Sequence, residues 1–223
     1  MSIPKIKVLQ MVYGGMNCPE SWFSFVEKIN QQYCSIHDYH YTVDRRENIR
    51  EDRHGHWTKV ESIMTHLNDC DFLLFLDADV CAYSHVLSIE EELLPILANY
   101  EILTPIDCGG EQYRWRPDCS NVGIMLIRNS PHAHQIIADW NTMTEIEKYG
   151  YTKWTFPLEQ LGFREYICEK YRDAIRVFLD YYVLQSKYGQ FFRHIFGCSG
   201  IDRQEFKQIW ESPLMERNRR LKK

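Results

Sequence analysis

Two aspartates follow an apolar segment in the middle of the chain. The run Phe72-Leu-Leu-Phe-Leu is long enough for one buried strand and leads directly into Asp77, Ala78 and Asp79. Residues two apart on an extended chain point to the same side, so both carboxylates can bind one cation at the end of this strand. Carboxylates suit hard cations such as magnesium and manganese, which usually bridge to substrate phosphates. The pattern therefore predicts a metal–diphosphate site; a strand followed by an ordinary acidic turn is the alternative interpretation.

Strands and helices alternate in the first half of the sequence, around this acidic segment. Strand patterns at 5–12, 39–43 and 72–76 are separated by helical spacing at 19–33 and 57–67. The alternation predicts an α/β fold whose mostly parallel central sheet is flanked by helices, and open sheets of this kind bind ligands at the carboxyl ends of their strands. The less regular second half is predicted to contain strands at 101–106, 122–127, 176–179 and 190–196 and helices at 88–98, 130–146, 158–170 and 202–220.

Length and composition are those of a soluble globular protein. The 223 residues fit one domain, with 44% hydrophobic and 26% charged residues. The net charge of −5 gives no general sign of a nucleic-acid partner. None of the eight cysteines forms a Cys-x-x-Cys pair, which argues against a structural zinc site. The even count allows disulfides, but in a protein of this size we expect reduced cysteines and a cytoplasmic location. No stretch reaches the roughly 18–20 apolar residues of a membrane span, so we expect no transmembrane segment.

Six short segments, spread over nearly the whole chain, carry a family resemblance. They are Tyr39-His-Tyr-Thr-Val-Asp44, Trp57-Thr-Lys59-Val, Leu76-Asp77-Ala-Asp79, Asn121-Val-Gly123-Ile-Met-Leu-Ile-Arg128, Leu158-Glu159-Gln160 and His194-Ile-Phe-Gly197-Cys198. In this order they resemble the nucleotide-sugar glycosyltransferases with the GT-A fold, and among these glycosyltransferase family 34, the galactosyl-, xylosyl- and mannosyltransferases of plants and fungi. The set is also similar to glycosyltransferase domains of large algal viruses that decorate capsid glycans.

The chain departs from family 34 in three respects. We expect it to lack the N-terminal membrane anchor of the secretory-pathway members. It has Glu159-Gln160 in place of the family's Asp-Gln pair and Asn121-Val122-Gly123 in place of Asn-Ser/Thr-Gly. Compactness without an anchor predicts a bacterial or viral enzyme that is soluble and works in the cytoplasm. We expect a single GT-A domain over 1–223, with nucleotide and metal binding in 1–128 and the acceptor side in 129–223.

The resemblance implies a third metal ligand, His194. Two carboxylate oxygens, one imidazole nitrogen, two diphosphate oxygens and a water would complete an octahedral site. The nitrogen ligand favours manganese over magnesium, so we expect Mn²⁺ as the cofactor, with Mg²⁺ as the alternative. The other interpretation of His194 is a structural or surface histidine.

Further residues are assigned to the donor through the same resemblance. Lys59 corresponds to a basic residue near the nucleotide or its diphosphate, where a positive charge offsets that of the leaving group. Asp44 and the pair Val12 and Tyr13 correspond to the nucleotide-binding edge, and Asn121 to a contact with the donor sugar. Lys59 could instead be a solvated lysine on a helix, and Asp44 an aspartate that forms a turn. Val12 and Tyr13 could simply end a strand, and Asn121 could be a capping asparagine.

Glu159 and Gln160 correspond to the family's pair beside the reacting carbon. The resemblance implies transfer of a sugar from a UDP-sugar to a glycan hydroxyl, with retention of the anomeric configuration. Glu159 and the carbonyl oxygen of Gln160 would stabilise the transition state in a front-face route, whereas Glu159 would be the nucleophile in a double displacement. The sequence leaves both routes open. A first-turn acid that interacts with the helix dipole is the alternative for Glu159.

Two other functions compete with the transferase. Aspartyl-phosphate phosphatases also have a strand followed by Asp-x-Asp, with Asp77 as nucleophile and Asp79 as acid/base. That motif normally opens its domain, whereas about seventy residues precede it here, and no convincing acidic pair follows for magnesium. The second competitor is a non-catalytic glycan-binding domain of the same fold, because fold alone does not determine function.

Overall fold

A six-stranded sheet forms the centre of the protein, whose computed structural model describes residues 3–13, 18–46, 52–107, 120–143, 158–186, 188–195 and 200–212. In chain order, the strands are β1 (Ile6–Met11), β2 (His40–Asp44), β3 (Phe72–Asp77), β4 (Val80–Ala82), β5 (Ile102–Pro105), β6 (Ile124–Arg128), β7 (Ile175–Phe178) and β8 (Phe192–His194). The large sheet has the order β2-β1-β3-β6-β5-β7, and its neighbouring strands are parallel except where β6 pairs with β3 and β5. The predicted mostly parallel α/β sheet is therefore confirmed.

Helices connect these strands at positions close to those predicted. They are α1 (Glu20–His37), α2 (Thr58–Leu67), α3 (Ile89–Glu92), α4 (Leu94–Leu97), α5 (Pro131–Thr142), α6 (Leu158–Gly162), α7 (Cys168–Lys170), α8 (Tyr181–Leu184) and α9 (Gly200–Trp210), with a 3₁₀ turn at Gly55–Trp57 and a π-helical turn at Phe163–Ile167. Ser130 caps α5 by accepting a hydrogen bond from the Ala133 backbone N–H at 3.0 Å, as its sequence predicts.

The prediction of one continuous helix over 88–98 is wrong. The structure has two short helices there, α3 and α4, which meet at Leu93. Pro95 has no backbone N–H to donate to the preceding turn, whereas a proline in the first turn of a new helix loses nothing. Ser88 caps the first of the two helices by accepting from the Glu91 N–H at 3.2 Å.

Alternation along β3 divides the core between the two faces of the large sheet. Leu73 and Phe75 pack into a cluster with residues of α2 and α5, whereas Leu74 and Leu76 pack on the opposite face into a cluster that includes Tyr33 of α1. All four β3 side chains are fully buried. The strand is thus packed on both faces, and its last residue, Asp77, lies at its carboxyl end.

A second, two-stranded sheet lies beside the end of β3. Strand β4 pairs antiparallel with β8 so that Val80 lies opposite His194. A third apolar cluster, containing Trp22 of α1 and Phe206 and Trp210 of α9, packs around this small sheet. Within the described part of the chain, no helix combines the length and apolar character that a membrane crossing requires.

Candidate active site

The carboxyl ends of β1, β2 and β3 lie level with one another on the same side of the large sheet. Met11 of β1 is in register with Asp44 of β2 on one side and with Asp77 of β3 on the other. The Val12 N–H donates to the Asp44 carbonyl at 2.9 Å, which extends the pairing one residue past the strand. Four residues assigned from the sequence, Val12, Tyr13, Asp44 and Asp77, therefore lie along the same edge, as expected for parallel strands.

Asp77, Asp79 and His194 converge beyond the end of β3. One ligand atom from each side chain lies within 4.8 Å of those of the other two. His194 Nε2 is 3.2 Å from Asp79 Oδ1, and adjacent ligands of an octahedral ion at about 2.1 Å are separated by roughly 3 Å. The separation between Asp79 and His194 matches that of adjacent ligands, and two carboxylates with one imidazole are ligand types that suit Mn²⁺ or Mg²⁺. The structure thus brings together the three residues predicted as metal ligands, although they come from two distant parts of the chain.

Gln185 orients the histidine of this cluster. Its Oε1 atom lies 3.1 Å from His194 Nδ1, so Nδ1–H donates to it and Nε2 is presented to Asp79. Gln185 is fully buried at the end of α8, which fixes its position. Burial opposes ionisation of Asp79, but the His194 ring outweighs this effect and holds the pKa of the Asp79 carboxyl below its ordinary value.

Lys59 lies next to the three candidate metal ligands, and its charged group is buried. Its ammonium is 3.0 Å and 3.2 Å from the two carboxylate oxygens of Asp77 and 3.4 Å from Glu159 Oε1. Burial disfavours the charged form, but Asp77 and Glu159 more than compensate and raise the pKa of the lysine. The interpretation of Lys59 as a solvated helix lysine is wrong, because its side chain is 4% exposed.

Glu159 is a buried and ionised carboxylate. Burial disfavours its charge, but Lys59 and His56 outweigh it and lower the pKa of the carboxyl from 4.5 to about 2. His56 Nδ1 lies 3.6 Å from Oε1, on the same oxygen that faces Lys59. The second oxygen, Oε2, is also buried but has no hydrogen-bond partner among the described residues. The indole N–H of Trp140 donates to the Glu159 carbonyl at 2.9 Å and fixes its backbone.

Asn121 and Gln160 are joined through Asp107. Gln160 Nε2 donates to Asp107 Oδ2 at 3.1 Å, and Asn121 Nδ2 lies 3.4 Å from Asp107 Oδ1. The opposite ends of the two amides accept from backbone, Gln160 Oε1 from the Val122 N–H and Asn121 Oδ1 from the Gly123 N–H. Both predicted residues therefore belong to one network that connects α6 to the segment before β6.

Gly123 allows this network to approach the candidate metal ligands. A Cβ atom on this residue would lie 2.3 Å from His194 Cε1 and 2.9 Å from both Asp77 Oδ2 and Asn121 Oδ1. These separations are shorter than real Cβ contacts, so the position requires glycine. Asn121 is thereby placed beside two of the three predicted metal ligands.

Asp44 and Tyr13 lie at the same sheet edge but have partners of their own. The Asp44 carboxylate accepts from Ser62 Oγ at 2.5 Å and from Arg46 Nε at 2.7–2.8 Å. Burial acts against ionisation there, but these two donors keep the pKa of Asp44 below its ordinary value. Tyr13 packs edge-on against His56, with ring centroids 5.5 Å apart, and its buried hydroxyl has a raised pKa.

Three residues of this site were not predicted from the sequence. His56 and Asp107 lie in segments that read as polar loops, and Gln185 follows a short helix without a clear pattern. A single polar residue in a loop carries no periodicity, so only the tertiary contacts identify it. The sequence of the 107–120 loop contains Arg114, Trp115 and Arg116, which could close over the donor or the acceptor. These three residues, and the motif residues Gly197 and Cys198, lie outside the described residues.

Comparison with known proteins supports the fold but not a family membership. No protein-family model matches the chain, and no curated protein is detectably similar to it. A glycosyltransferase involved in the glycosylation of the major capsid of PBCV-1 is 18% identical, covers 92% of this chain and 100% of its own, and has a TM-score of 0.68. The glycosyltransferase GlyE of Streptococcus pneumoniae TIGR4 is 13% identical, covers 96% of this chain and 62% of its own, and has a TM-score of 0.57.

A mutant of Drosophila β1,4-galactosyltransferase 7, in complex with manganese, UDP-Gal and xylobiose, is also similar in structure. It is 14% identical, covers 97% of this chain and 80% of its own, and has a TM-score of 0.51. At such identities the likeness concerns the fold. The chain therefore has the GT-A glycosyltransferase fold that its sequence predicts.

Proposed function

We propose that this protein is a metal-dependent glycosyltransferase that transfers a sugar from a UDP-sugar to a glycan hydroxyl, with retention of the anomeric configuration. The observation that carries the proposal is the convergence of Asp77, Asp79 and His194 at the carboxyl edge of a GT-A sheet. The complex of the Drosophila enzyme with manganese, UDP-Gal and xylobiose supports a nucleotide-sugar donor and a glycan acceptor. Its manganese supports Mn²⁺ as the ion for Asp77, Asp79 and His194.

The proposed leaving group is a nucleoside diphosphate held at this edge. A divalent cation held by the three ligands would supply Lewis-acid stabilisation of the diphosphate. Lys59 adds a buried positive charge 3.0 Å from Asp77, where the low dielectric strengthens its attraction to phosphate oxygens. Val12, Tyr13 and Asp44, on the neighbouring strand ends, are proposed to contact the nucleoside. Asn121, beside Gly123, is proposed to contact the donor sugar.

Glu159 is the proposed group nearest the reacting carbon. Its carboxylate is ionised, and the buried Oε2 atom makes no hydrogen bond to the described residues. In a front-face route it would stabilise positive charge on the anomeric carbon together with the Gln160 carbonyl, while the leaving phosphate oxygen takes the proton of the acceptor hydroxyl. In a double displacement, Glu159 would attack the anomeric carbon as its bond to the diphosphate oxygen breaks. The acceptor oxygen would then displace the carboxylate, and its proton would pass to the released diphosphate.

Mass spectrometry of the enzyme mixed with donor would separate these routes. A glycosyl adduct on Glu159 would exclude the front-face route. Full activity of Glu159→Ala would contradict both assignments of this residue. We further propose that residues 1–128 bind nucleotide and metal and that 129–223 form the acceptor side.

Nucleotide binding is the first test of the proposed function. Calorimetry with UDP, GDP and CMP, each in Mn²⁺ or in EDTA, should give Mn²⁺-dependent binding of UDP that Asp79→Asn abolishes. Preference for GDP would change the donor but keep the site. Absence of all nucleotide binding by folded protein would contradict the proposal and favour the glycan-binding alternative. The phosphatase alternative is weakened by the fold, and Asp77-dependent hydrolysis of a generic phosphate ester would restore it.

A further inference from the structure

The turn that carries both aspartates is bound from behind by side chains of other elements. Between β3 and β4 the backbone leaves the large sheet, so its carbonyls need other partners. Gln10 Nε2 lies 3.1 Å from the Asp77 carbonyl, 3.4 Å from the Ala78 carbonyl and 3.1 Å from the Val80 carbonyl. One fully buried amide on β1 thus spans the whole turn.

Asn30 of α1 completes this arrangement. Its Nδ2 atom donates to the Val80 carbonyl at 2.9 Å and to Gln10 Oε1 at 3.0 Å, and its Oδ1 atom accepts from the Ala82 N–H at 2.8 Å. The Tyr41 hydroxyl donates to Gln10 Oε1 at 2.6 Å. Asn30 is 1% exposed, so water does not replace these bonds. We call Gln10 and Asn30 the amide clamp.

Backbone groups determine the orientation of both amides. The Ala82 N–H can only donate, so the atom of Asn30 that it contacts must be the oxygen. The Asn30 nitrogen must then donate to the Val80 carbonyl and to Gln10 Oε1, which leaves the Gln10 nitrogen facing the three carbonyls. Each amide therefore fits in one orientation only. Exchanging the nitrogen and oxygen of either amide would place a donor against a donor or an acceptor against an acceptor.

We propose that Gln10 and Asn30 are positioning residues for the metal site: they hold the turn in the shape that brings Asp77 and Asp79 to His194. This inference rests on the proposed metal-dependent function. The opposite side of the turn is fixed by backbone, since the Ile195 N–H donates to the Asp79 carbonyl at 3.0 Å. Metal–ligand distances tolerate deviations of only about 0.2 Å, so a turn fixed on one side alone would hold its two carboxylates too loosely.

The test measures Mn²⁺ binding rather than activity. Asn30→Asp keeps the shape of the side chain and its acceptor for Ala82, but it removes both hydrogen bonds donated by Nδ2. Gln10→Glu places a carboxylate oxygen against the three carbonyls. Tyr41→Phe removes only the hydroxyl that binds Gln10 and is the mild variant, expected to fold even if the others do not. Tyr33→Phe is the matched control, because this buried residue of α1 loses a hydrogen bond to the Leu87 carbonyl, away from the turn.

We expect the affinity for Mn²⁺, measured by calorimetry, to fall about tenfold or more in Asn30→Asp and Gln10→Glu, as for other residues that orient metal ligands. Tyr41→Phe should weaken binding less, but more than the Tyr33→Phe control, which should bind like the wild type. Urea unfolding of the same variants reports their stability. If the clamp variants are less stable but bind Mn²⁺ with wild-type affinity, the proposal is overturned. Gln10 and Asn30 would then have a purely structural role. Absence of Mn²⁺ binding by the wild type would overturn the proposed metal site itself, and the role of the clamp with it.

Discussion

Replacing Gly123 by alanine should disrupt the metal site while leaving the fold intact. The new methyl group would lie 2.3 Å from His194 Cε1 and 2.9 Å from Asp77 Oδ2, between two of the three proposed ligands. Two carbon atoms normally approach to about 3.5–4 Å, so the ring or the backbone must move by roughly 1 Å. That movement is about five times the deviation that metal–ligand distances tolerate.

We expect the affinity of Gly123→Ala for Mn²⁺ to fall at least tenfold, which corresponds to about 1.4 kcal/mol of binding free energy. The crowding itself should lower the free energy of unfolding by about 1–3 kcal/mol, as overpacked sites usually do. Calorimetric titration with Mn²⁺ and urea unfolding measure the two effects on one preparation.

The matched control is Gly162→Ala. Its methyl group would meet the sulfur of Met143 at 2.8 Å, the end of a flexible side chain that can turn away. We expect this variant to bind Mn²⁺ as the wild type does. If Gly123→Ala also keeps wild-type affinity while it folds, then His194 and Asp77 do not bind one ion in this geometry and the reasoning fails.

Three further predictions concern the charged and polar neighbours of the site. Lys59→Met removes the cation between Asp77 and Glu159, so the free energy of unfolding in urea at pH 7 should fall by about 3–5 kcal/mol. An unchanged value would show that these ion pairs are not buried in solution. The pKa of Glu159 is lowered from 4.5 to about 2, so its ionisation stabilises the fold above pH 4.5 and that contribution is lost as the pH falls through 2. Urea unfolding at pH 7, 5 and 3 should show a smaller loss of stability with acid in Glu159→Gln than in the wild type, and equal losses would contradict the shift. Gln185→Leu removes the acceptor for His194 Nδ1 and should weaken Mn²⁺ binding about 10–100-fold by calorimetry; undiminished binding would exclude an orienting role.

The sequence predicts the large sheet well because its strands carry strong local patterns. The apolar run before Asp77 and the alternation of strand and helix determine β1 to β3 and the edge at which Asp44 and Asp77 lie. Strand β4 and its pairing with β8 were not predicted, because three residues are too few to show a period. The antiparallel direction of β6 also has no local signal, since it depends on the route of the connecting chain.

The site divides in the same way. Asp77 and Asp79 are predicted from their spacing after the apolar run, although the structure places Asp79 in the turn beyond β3 rather than on the strand. His194 is predicted only through a family resemblance, because its approach to Asp79 depends on the β4–β8 pairing. Gln10 and Asn30 read as ordinary polar residues within a strand and a helix. Their role appears only when a turn from another part of the chain is packed against them.

The burial of Lys59 between two carboxylates has a consequence for the order of binding. Together, the side chains of Asp77, Asp79, Glu159 and Lys59 carry a formal charge of −2, which repels a diphosphate until a divalent cation neutralises it. Under the proposed function, cation and nucleotide are coupled ligands, and each must raise the affinity of the other by the same factor. A cell's supply of free divalent metal would thus determine how much donor the protein holds, before any sugar is transferred.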